Sequence, residues 1–174
     1  MIFELCYLSS RQVHSYKIKQ KRRIMRQFIF TLLALVSVAI CYSQVRQPAK
    51  WSFTAKKVDA TTYEIHCTAI LEGGWHIYSQ TTPDGGPVPT RLKFAPNPLV
   101  TIQGTATEVG KLEKKHEEIF GVDVKQFSNK VDFVQVVKLK GKVKTNITGS
   151  IDYMTCNDRE CLPPTSQKFS IAIQ

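Results

Sequence analysis

The sequence predicts an all-β sandwich, and three observations lead to this prediction. Segments with strand-like alternation of apolar residues follow one another at short intervals from Trp51 to the C-terminus. Glycine and proline residues separate these segments, as they do in turns between strands. No run in this part of the chain has a convincing helical period.

The predicted strands extend from residue 51 to residue 173. The clearest lies at residues 63–71, where Cys67 falls on the apolar face, so we expect it to be a small core residue. Residues 131–139 and 142–153 are expected to pair through a turn at Lys140 and Gly141. Residues 81–89 are expected to form a surface loop. The other predicted strands are 51–58, 75–79, 91–94, 99–103 and 167–173.

The N-terminal part of the chain has the pattern of a secretory signal. Residues 28–42 are an uncharged apolar run of 15 residues that follows Arg26 and precedes Ser43. A membrane-spanning helix needs about 20 residues, so this run is too short to span comfortably. Because Met25 stands directly before the pattern, we expect it to be the true start.

These signals divide the chain into three parts. Residues 1–24 are expected to be a non-native extension, residues 25–43 a signal peptide, and residues 44–174 one exported domain of 131 residues. Such a signal predicts that the domain is exported.

The charge of the exported part is ordinary. The whole chain has a formal net charge of +10, but residues 44–174 contain 17 basic and 13 acidic residues. We therefore expect no nucleic-acid partner. The alternating lysines from Lys138 to Lys144 are interpreted as solvated side chains, with attraction to a membrane surface as the alternative.

Two of the three cysteines in the exported part lie close together. Cys156 and Cys161 are separated by four residues, and an extended chain would place their Cα atoms up to about 17 Å apart. A disulfide requires the segment to fold back, and Asn157 and Asp158 are residues that favour such a turn. Closing so short a loop stabilises a fold by only about 2 kcal/mol, which favours a reversible dithiol over a static bridge.

Two alternatives remain open at this stage. In the first, the chain is a secreted binding module in which Cys156–Cys161 is a permanent bridge. In the second, Cys156 and Cys161 bind a metal ion together with two of the histidines, but Cys-x4-Cys lies at the edge of the usual zinc spacing. We expect neither a metal nor a cofactor. The histidines available for that site are His66, His76 and His116.

Three segments together resemble a known family. They are GWHIYS at residues 74–79, HEEIFG at residues 116–121, and YMTCNDRECLPP at residues 153–164. In combination with the signal peptide, they are similar to the N-terminal periplasmic domain of DsbD, the transmembrane thiol:disulfide interchange reductase. The resemblance implies an immunoglobulin-like β-sandwich that uses no cofactor and acts as a monomer.

The resemblance also implies a function. Such a domain accepts electrons from a membrane-embedded thiol reductase and passes them to oxidised periplasmic thioredoxin-like proteins, with cytochrome c biogenesis among the destinations. Full-length family members continue into a membrane segment and a further thioredoxin-like domain. Either separate proteins supply those parts here, or the domain has been turned to a different use. In the first case, the chain would be a component of a thiol-disulfide oxidoreductase that needs partner proteins.

The family's site residues can be placed on this sequence. Cys156 and Cys161 match the exchanging pair, and Cys161 matches the cysteine that engages the partner. His76 and Tyr78 stand where the family has aromatic residues beside the cysteines, and on a strand they share one face. The alternatives are a surface histidine and a core tyrosine for these two, and a plain glycine-ended turn for the matching cap loop. That cap loop consists of Glu117, Glu118, Ile119, Phe120 and Gly121.

Overall fold

The computed structural model describes residues 22, 25–28, 30–31, 46–83, 85–118 and 120–174. The chain divides into two compact units, Met1–Arg46 and Gln47–Gln174. In the first unit, the described residues are helical up to residue 31, and the rest of the predicted signal peptide lies outside the described residues. Within the described ranges, no helix has both the length and the apolar character needed to cross a membrane.

In the second unit, the described residues form nine strands arranged in two antiparallel sheets. The larger sheet is built on β6, the smaller sheet has the order β4-β7-β9, and both sheets belong to this unit alone. The strands are β1 Ala49–Lys57, β2 Thr62–Leu71, β3 His76–Tyr78, β4 Arg91–Phe94, β5 Val100–Glu117, β6 Val122–Leu139, β7 Thr145–Tyr153, β8 Thr155–Cys156 and β9 Thr165–Ile173.

Strand β6 is shared by two groups of neighbours. Along one edge it pairs with β5 over most of its length. Along the other edge, residues 130–138 pair with β2 and residues 126–128 pair with β3. Strand β1 extends the sheet beyond β2, and β8 extends it beyond β3. The short strands that carry the candidate site are therefore held at one end of β6.

The core lies between the two sheets. On β1, the Trp51 ring lies 5.1 Å from the Tyr153 ring of β7, and the Phe53 ring lies 5.0 Å from the Phe169 ring of β9. Cys67 is fully buried in this core, and burial raises the pKa of its thiol to about 12, with Asp132 adding to the shift. The prediction of an all-β, immunoglobulin-like sandwich is confirmed, and Cys67 is a core residue as expected. Because both sheets and their core lie in residues 47–174, this unit has what it needs to fold without the preceding residues.

Two strand predictions were wrong. Strands β6 and β7 do not pair through Lys140 and Gly141, because the chain crosses there from one sheet to the other, and β7 pairs instead with β4 and β9. Strand β5 is also far longer than the predicted strand 99–103, and its hairpin with β6 was not predicted. Most β5 side chains are exposed, so the strand lacks the alternation of apolar residues that marks a half-buried strand.

Gly149 of β7 occupies a position that has no room for a side chain. A Cβ atom there would lie 2.3 Å from the Lys93 carbonyl oxygen and 2.7 Å from the Phe169 ring. We expect Gly149→Ala to lower the free energy of unfolding by about 2 kcal/mol or more, since the backbone of β4 would have to shift. Urea unfolding with the disulfide intact measures this.

Gly73→Ala is the matched control for that measurement. A Cβ atom at Gly73 has no atom within 4 Å, so this variant should change the free energy of unfolding by no more than about 0.5 kcal/mol. Equal unfolding midpoints for the two variants would contradict the close packing around Gly149.

Candidate redox site

Cys156 and Cys161 form a disulfide, and the chain between them folds back tightly. Their Cα atoms are 4.1 Å apart. The backbone N–H of Asn157 donates to the carbonyl oxygen of Glu160 at 2.9 Å. The Asn157 side-chain oxygen accepts from the backbone N–H groups of Arg159 and Glu160 at 2.8 and 2.9 Å. Asn157 therefore organises the turn that brings the two cysteines together.

The two cysteines differ in their access to solvent. Cys156, at the end of β8, is fully buried and packs with Tyr78 and Val124. Cys161 is only partly buried and lies at the edge of the same apolar cluster, with Val122 and Met154. A protein that attacks this disulfide from outside can therefore reach the Cys161 side but not the Cys156 side.

Strand β3 places two ring side chains beside the disulfide. His76 lies directly opposite Cys156 in the register of β3 and β8, so their side chains lie on the same face of the sheet. The rings of His76 and Tyr78 meet edge to face, with centroids 5.2 Å apart. Both side chains are buried, so His76 is not the surface histidine considered as an alternative.

A buried carboxylate completes this group. The Tyr78 hydroxyl donates to Oε2 of Glu117 at 3.1 Å and lies 3.1 Å from Nε2 of His76. Nε2 of His76 is 3.8 Å from the same Glu117 oxygen. Glu117 is only 7% exposed, so the Tyr78 hydroxyl is its main hydrogen-bond donor among the described side chains. The β5 strand end is thereby fixed to β3.

Burial sets the protonation states of the two rings. The pKa of His76 is lowered by burial, an effect that the nearby Glu117 carboxylate partly offsets. The pKa of Tyr78 is raised by burial and further by Glu117. At neutral pH, His76 is therefore uncharged and Tyr78 is protonated. A neutral imidazole gives a neighbouring thiolate no cationic partner.

The predicted cap loop is the turn of the β5–β6 hairpin. The backbone N–H groups of Phe120 and Gly121 donate to the Glu117 carbonyl oxygen at 3.1 and 2.8 Å, and Gly121 has a φ of 65°. Glu118 is exposed and Phe120 is partly buried, while Ile119 lies outside the described residues. Val122, directly after the loop, packs in the apolar cluster that contains both cysteines. The loop therefore adjoins the disulfide.

An ion pair links the same hairpin to the turn between the cysteines. Nζ of Lys115 lies 2.9 Å from Oδ1 of Asp158. This hydrogen bond is the main cause of the lowered pKa of Asp158 and of the raised pKa of Lys115. Both side chains are largely exposed, so the pair contributes little to stability. It nevertheless fixes the turn against β5.

A family model decides the identity of this domain. The model for the N-terminal region of the thiol:disulfide interchange protein DsbD matches residues 43–173. The chain belongs to the DsbD N-terminal domain family. Its family is one of thiol:disulfide interchange proteins, which agrees with the disulfide between Cys156 and Cys161. The resemblance stated from the sequence is confirmed.

A solved structure shows the same fold at low sequence identity. The N-terminal periplasmic domain of ScsB from Proteus mirabilis is 18% identical with a TM-score of 0.52, and the match covers 72% of this chain. The chain spans 46% of that ScsB chain. The reduced DsbD N-terminal domain from Neisseria meningitidis is 17% identical with a TM-score of 0.49, covering 72% of this chain and 85% of that one. No curated protein sequence gives a significant match.

In this DsbD-family domain, the three histidines considered for a metal site lie apart. His66 is on β2, where Nδ1 lies 2.6 Å from Asp132 on β6. His116 is exposed and lies 2.8 Å from Asp123. Of the three, His76 is the one placed beside the cysteines, which are bonded to each other. Across residues 46–83, 85–118 and 120–174, no group of three or more metal-binding side chains forms.

Two residues of the site were missed as specific contacts by the sequence analysis. Lys115 was not singled out, and Glu117 was assigned only to the cap loop rather than to the buried group with His76 and Tyr78. Both contacts join residues far apart in the chain. Lys115 and Asp158 are separated by 43 positions, and Tyr78 and Glu117 by 39. No local pattern signals such a pairing, because it depends on the register of the β5–β6 hairpin.

The lowered pKa of His76 predicts how stability changes with pH. Below about pH 6.5 the unfolded chain takes up a proton at this position that the folded domain resists, so stability is lost as the pH falls. The limiting slope is about 1.4 kcal/mol per pH unit. His76→Gln does not titrate, so wild type should lose stability relative to this variant between about pH 7.5 and 5.5.

Urea unfolding at the two pH values measures that difference, and all other titrating groups are common to both proteins. Three carboxyl groups with lowered pKa affect stability only at lower pH, because their usual pKa is 3.8. They are Asp59, Asp152 and Asp158. A stability difference between wild type and His76→Gln that is equal at both pH values would contradict the account of His76.

Proposed function

We propose that this chain is a periplasmic thiol-disulfide interchange module. It relays electrons through the Cys156–Cys161 pair, from a membrane-embedded thiol reductase to oxidised thioredoxin-like proteins. Residues 25–43 direct its export and are removed, and residues 44–174 are the working domain. Membership of the DsbD N-terminal family supports this proposal. The observation that carries it is the unequal burial of the two bonded cysteines.

Unequal burial assigns a role to each cysteine. In the reduced domain, the Cys161 thiolate attacks the disulfide of the acceptor, and one acceptor sulfur leaves as a thiolate. The Cys156 thiolate then attacks the Cys161 sulfur of this mixed disulfide. The second acceptor sulfur leaves, the Cys156–Cys161 bond forms again, and the acceptor has gained two electrons and, at its two thiols, two protons.

The donor reverses these steps. A thiolate of the reductase attacks the accessible Cys161 sulfur, and Cys156 leaves as a thiolate that takes up a proton. A second donor thiolate then attacks the donor sulfur bonded to Cys161, which releases Cys161 and leaves a disulfide on the donor. Because each partner bonds to Cys161 in turn, donor and acceptor must use the same face of the domain, one after the other.

The surroundings of the cysteine pair suit repeated opening and closing of the disulfide. The apolar cluster of Tyr78, Val122 and Val124 limits the access of water and small oxidants to the Cys156 sulfur. The family resemblance supports a similar shielding role for the adjoining cap loop at Cys161. The cysteine turn itself is formed by Asn157 and by backbone hydrogen bonds at both of its ends. Opening the disulfide therefore leaves the two thiols close together, ready to form the bond again.

Single substitutions at the two cysteines should have unequal effects on trapping. Both Cys156→Ser and Cys161→Ser should abolish electron transfer to an oxidised periplasmic thioredoxin-like protein, since each removes half of the dithiol. Only Cys156→Ser should accumulate a mixed disulfide with that protein, because it keeps the accessible Cys161. Gel electrophoresis without reductant, after quenching of free thiols, measures the trapped complex.

Cys67→Ala is the control, because Cys67 is a core residue away from the pair and its removal should leave exchange intact. The proposal would be refuted by electron transfer at the wild-type rate in both serine variants. Preferential trapping by Cys161→Ser would reverse the assigned roles of the two cysteines.

A further inference from the structure

Six lysines gather at the end of the sandwich remote from the disulfide. They lie where β1 ends, where β6 ends and along the connection from β6 to β7. We call this surface the lysine pole, and its residues are Lys56, Lys57, Lys138, Lys140, Lys142 and Lys144.

Backbone hydrogen bonds hold the parts of the lysine pole together. The backbone N–H of Leu139 donates to the Thr61 carbonyl oxygen at 2.8 Å, which joins the end of β6 to the β1–β2 turn. The backbone N–H of Lys140 donates to the Leu99 carbonyl oxygen at 2.9 Å, which joins it to the start of β5. The lysines therefore project from a fixed set of connections.

Counted over side chains, the lysine pole carries the whole net charge of the exported domain. One of its lysines, Lys57, donates from Nζ to the Gln174 oxygen at 2.9 Å. Two acidic residues lie among its six lysines, and Glu64 already pairs with Lys56 at 3.1 Å, while Asp59 accepts hydrogen bonds within its own turn. The other 11 basic and 11 acidic residues of residues 44–174 cancel. Within the described part of the chain, the lysines of the β6–β7 connection at positions 140, 142 and 144 form no ion pair.

Apolar side chains stand among these charges. Val58 in the β1–β2 turn is 55% exposed, Leu99 is 39% exposed and Val143 is 37% exposed. Val143 lies between Lys142 and Lys144 and lines a groove with Lys57 and Ala60. Lysines interspersed with exposed apolar side chains are the composition of surfaces that bind anionic bilayers, where the charges meet headgroups and the apolar groups enter the interface.

We propose that the lysine pole docks the domain on a membrane surface by binding anionic lipid headgroups. Lysine ammonium groups are point charges that suit a dense, laterally mobile anionic surface, whereas a protein site that recognises one acidic ligand favours the planar fork of arginine. No arginine occurs in the segments that carry the lysine pole, residues 56–64 and 138–144. A bilayer therefore fits this surface better than one acidic protein.

Docking in this way would orient the redox site. His76 stands opposite both Cys156 and Ser128 of β6, and Lys138 lies ten residues further along the same strand. At about 3.3 Å per residue, the disulfide end and the lysine pole are roughly 30 Å apart. A domain bound through the lysine pole would hold Cys161 away from the headgroups, open to soluble acceptors. It would have to leave this docked position for Cys161 to meet the membrane-embedded donor.

Vesicle flotation tests this proposal with the protein that begins at Gln44. Wild type should float with vesicles of equal parts phosphatidylglycerol and phosphatidylcholine, and not with phosphatidylcholine alone. High salt should release it, because exposed charges are screened. The variant with Lys138, Lys140, Lys142 and Lys144 all changed to Gln should bind at least about 100-fold more weakly, given about fivefold per lysine.

A control variant loses the same charge elsewhere, through Gln at the exposed Lys50, Lys111, Lys114 and Lys130. It should bind as wild type does, and circular dichroism should show that both variants are folded. Three results would overturn the proposal. They are the absence of wild-type binding to the anionic vesicles, equal loss of binding in the two variants, and binding to polyglutamate without binding to vesicles.

Discussion

The pairing of β6 with three other strands determines where the residues of the candidate site lie. Its residues 126–128 hold β3, β3 holds β8, and the other edge of β6 holds β5 up to Glu117. These three ladders bring together residues that are distant in sequence: His76 and Tyr78, then Glu117, then Cys156. A shift of register by one residue in any ladder would turn one of these side chains to the opposite face.

The site combines one accessible sulfur, one buried sulfur and a neutral histidine beside them. Cys161 is at the surface of its cluster and Cys156 is buried, so the proposed roles in attack and resolution rest on burial rather than on the order of the residues. Burial also lowers the pKa of His76 and keeps it neutral, so this ring gives neither sulfur a cationic partner.

The parts of the fold that local pattern determines could be predicted from the sequence. Strand β2 alternates fully buried with less buried residues, and β4 was predicted with its observed bounds. The short spacing of Cys156 and Cys161 likewise predicted a bond that closes over a turn. Strand β5 could not be predicted, because its side chains are mostly exposed and its pairing with β6 shifts register near Gly110. The contact of Tyr78 with Glu117 depends on that hairpin and was missed with it.

The central claim is that the Cys156–Cys161 disulfide is opened and closed in use. The most direct test is its reduction potential in the protein from Gln44 onward, measured by equilibration in glutathione or dithiothreitol buffers followed by thiol trapping. The account predicts a value between about −180 and −270 mV, the range of working exchange proteins. A value below about −300 mV, or a disulfide that is reduced only when the domain unfolds, would contradict it and indicate a static bridge.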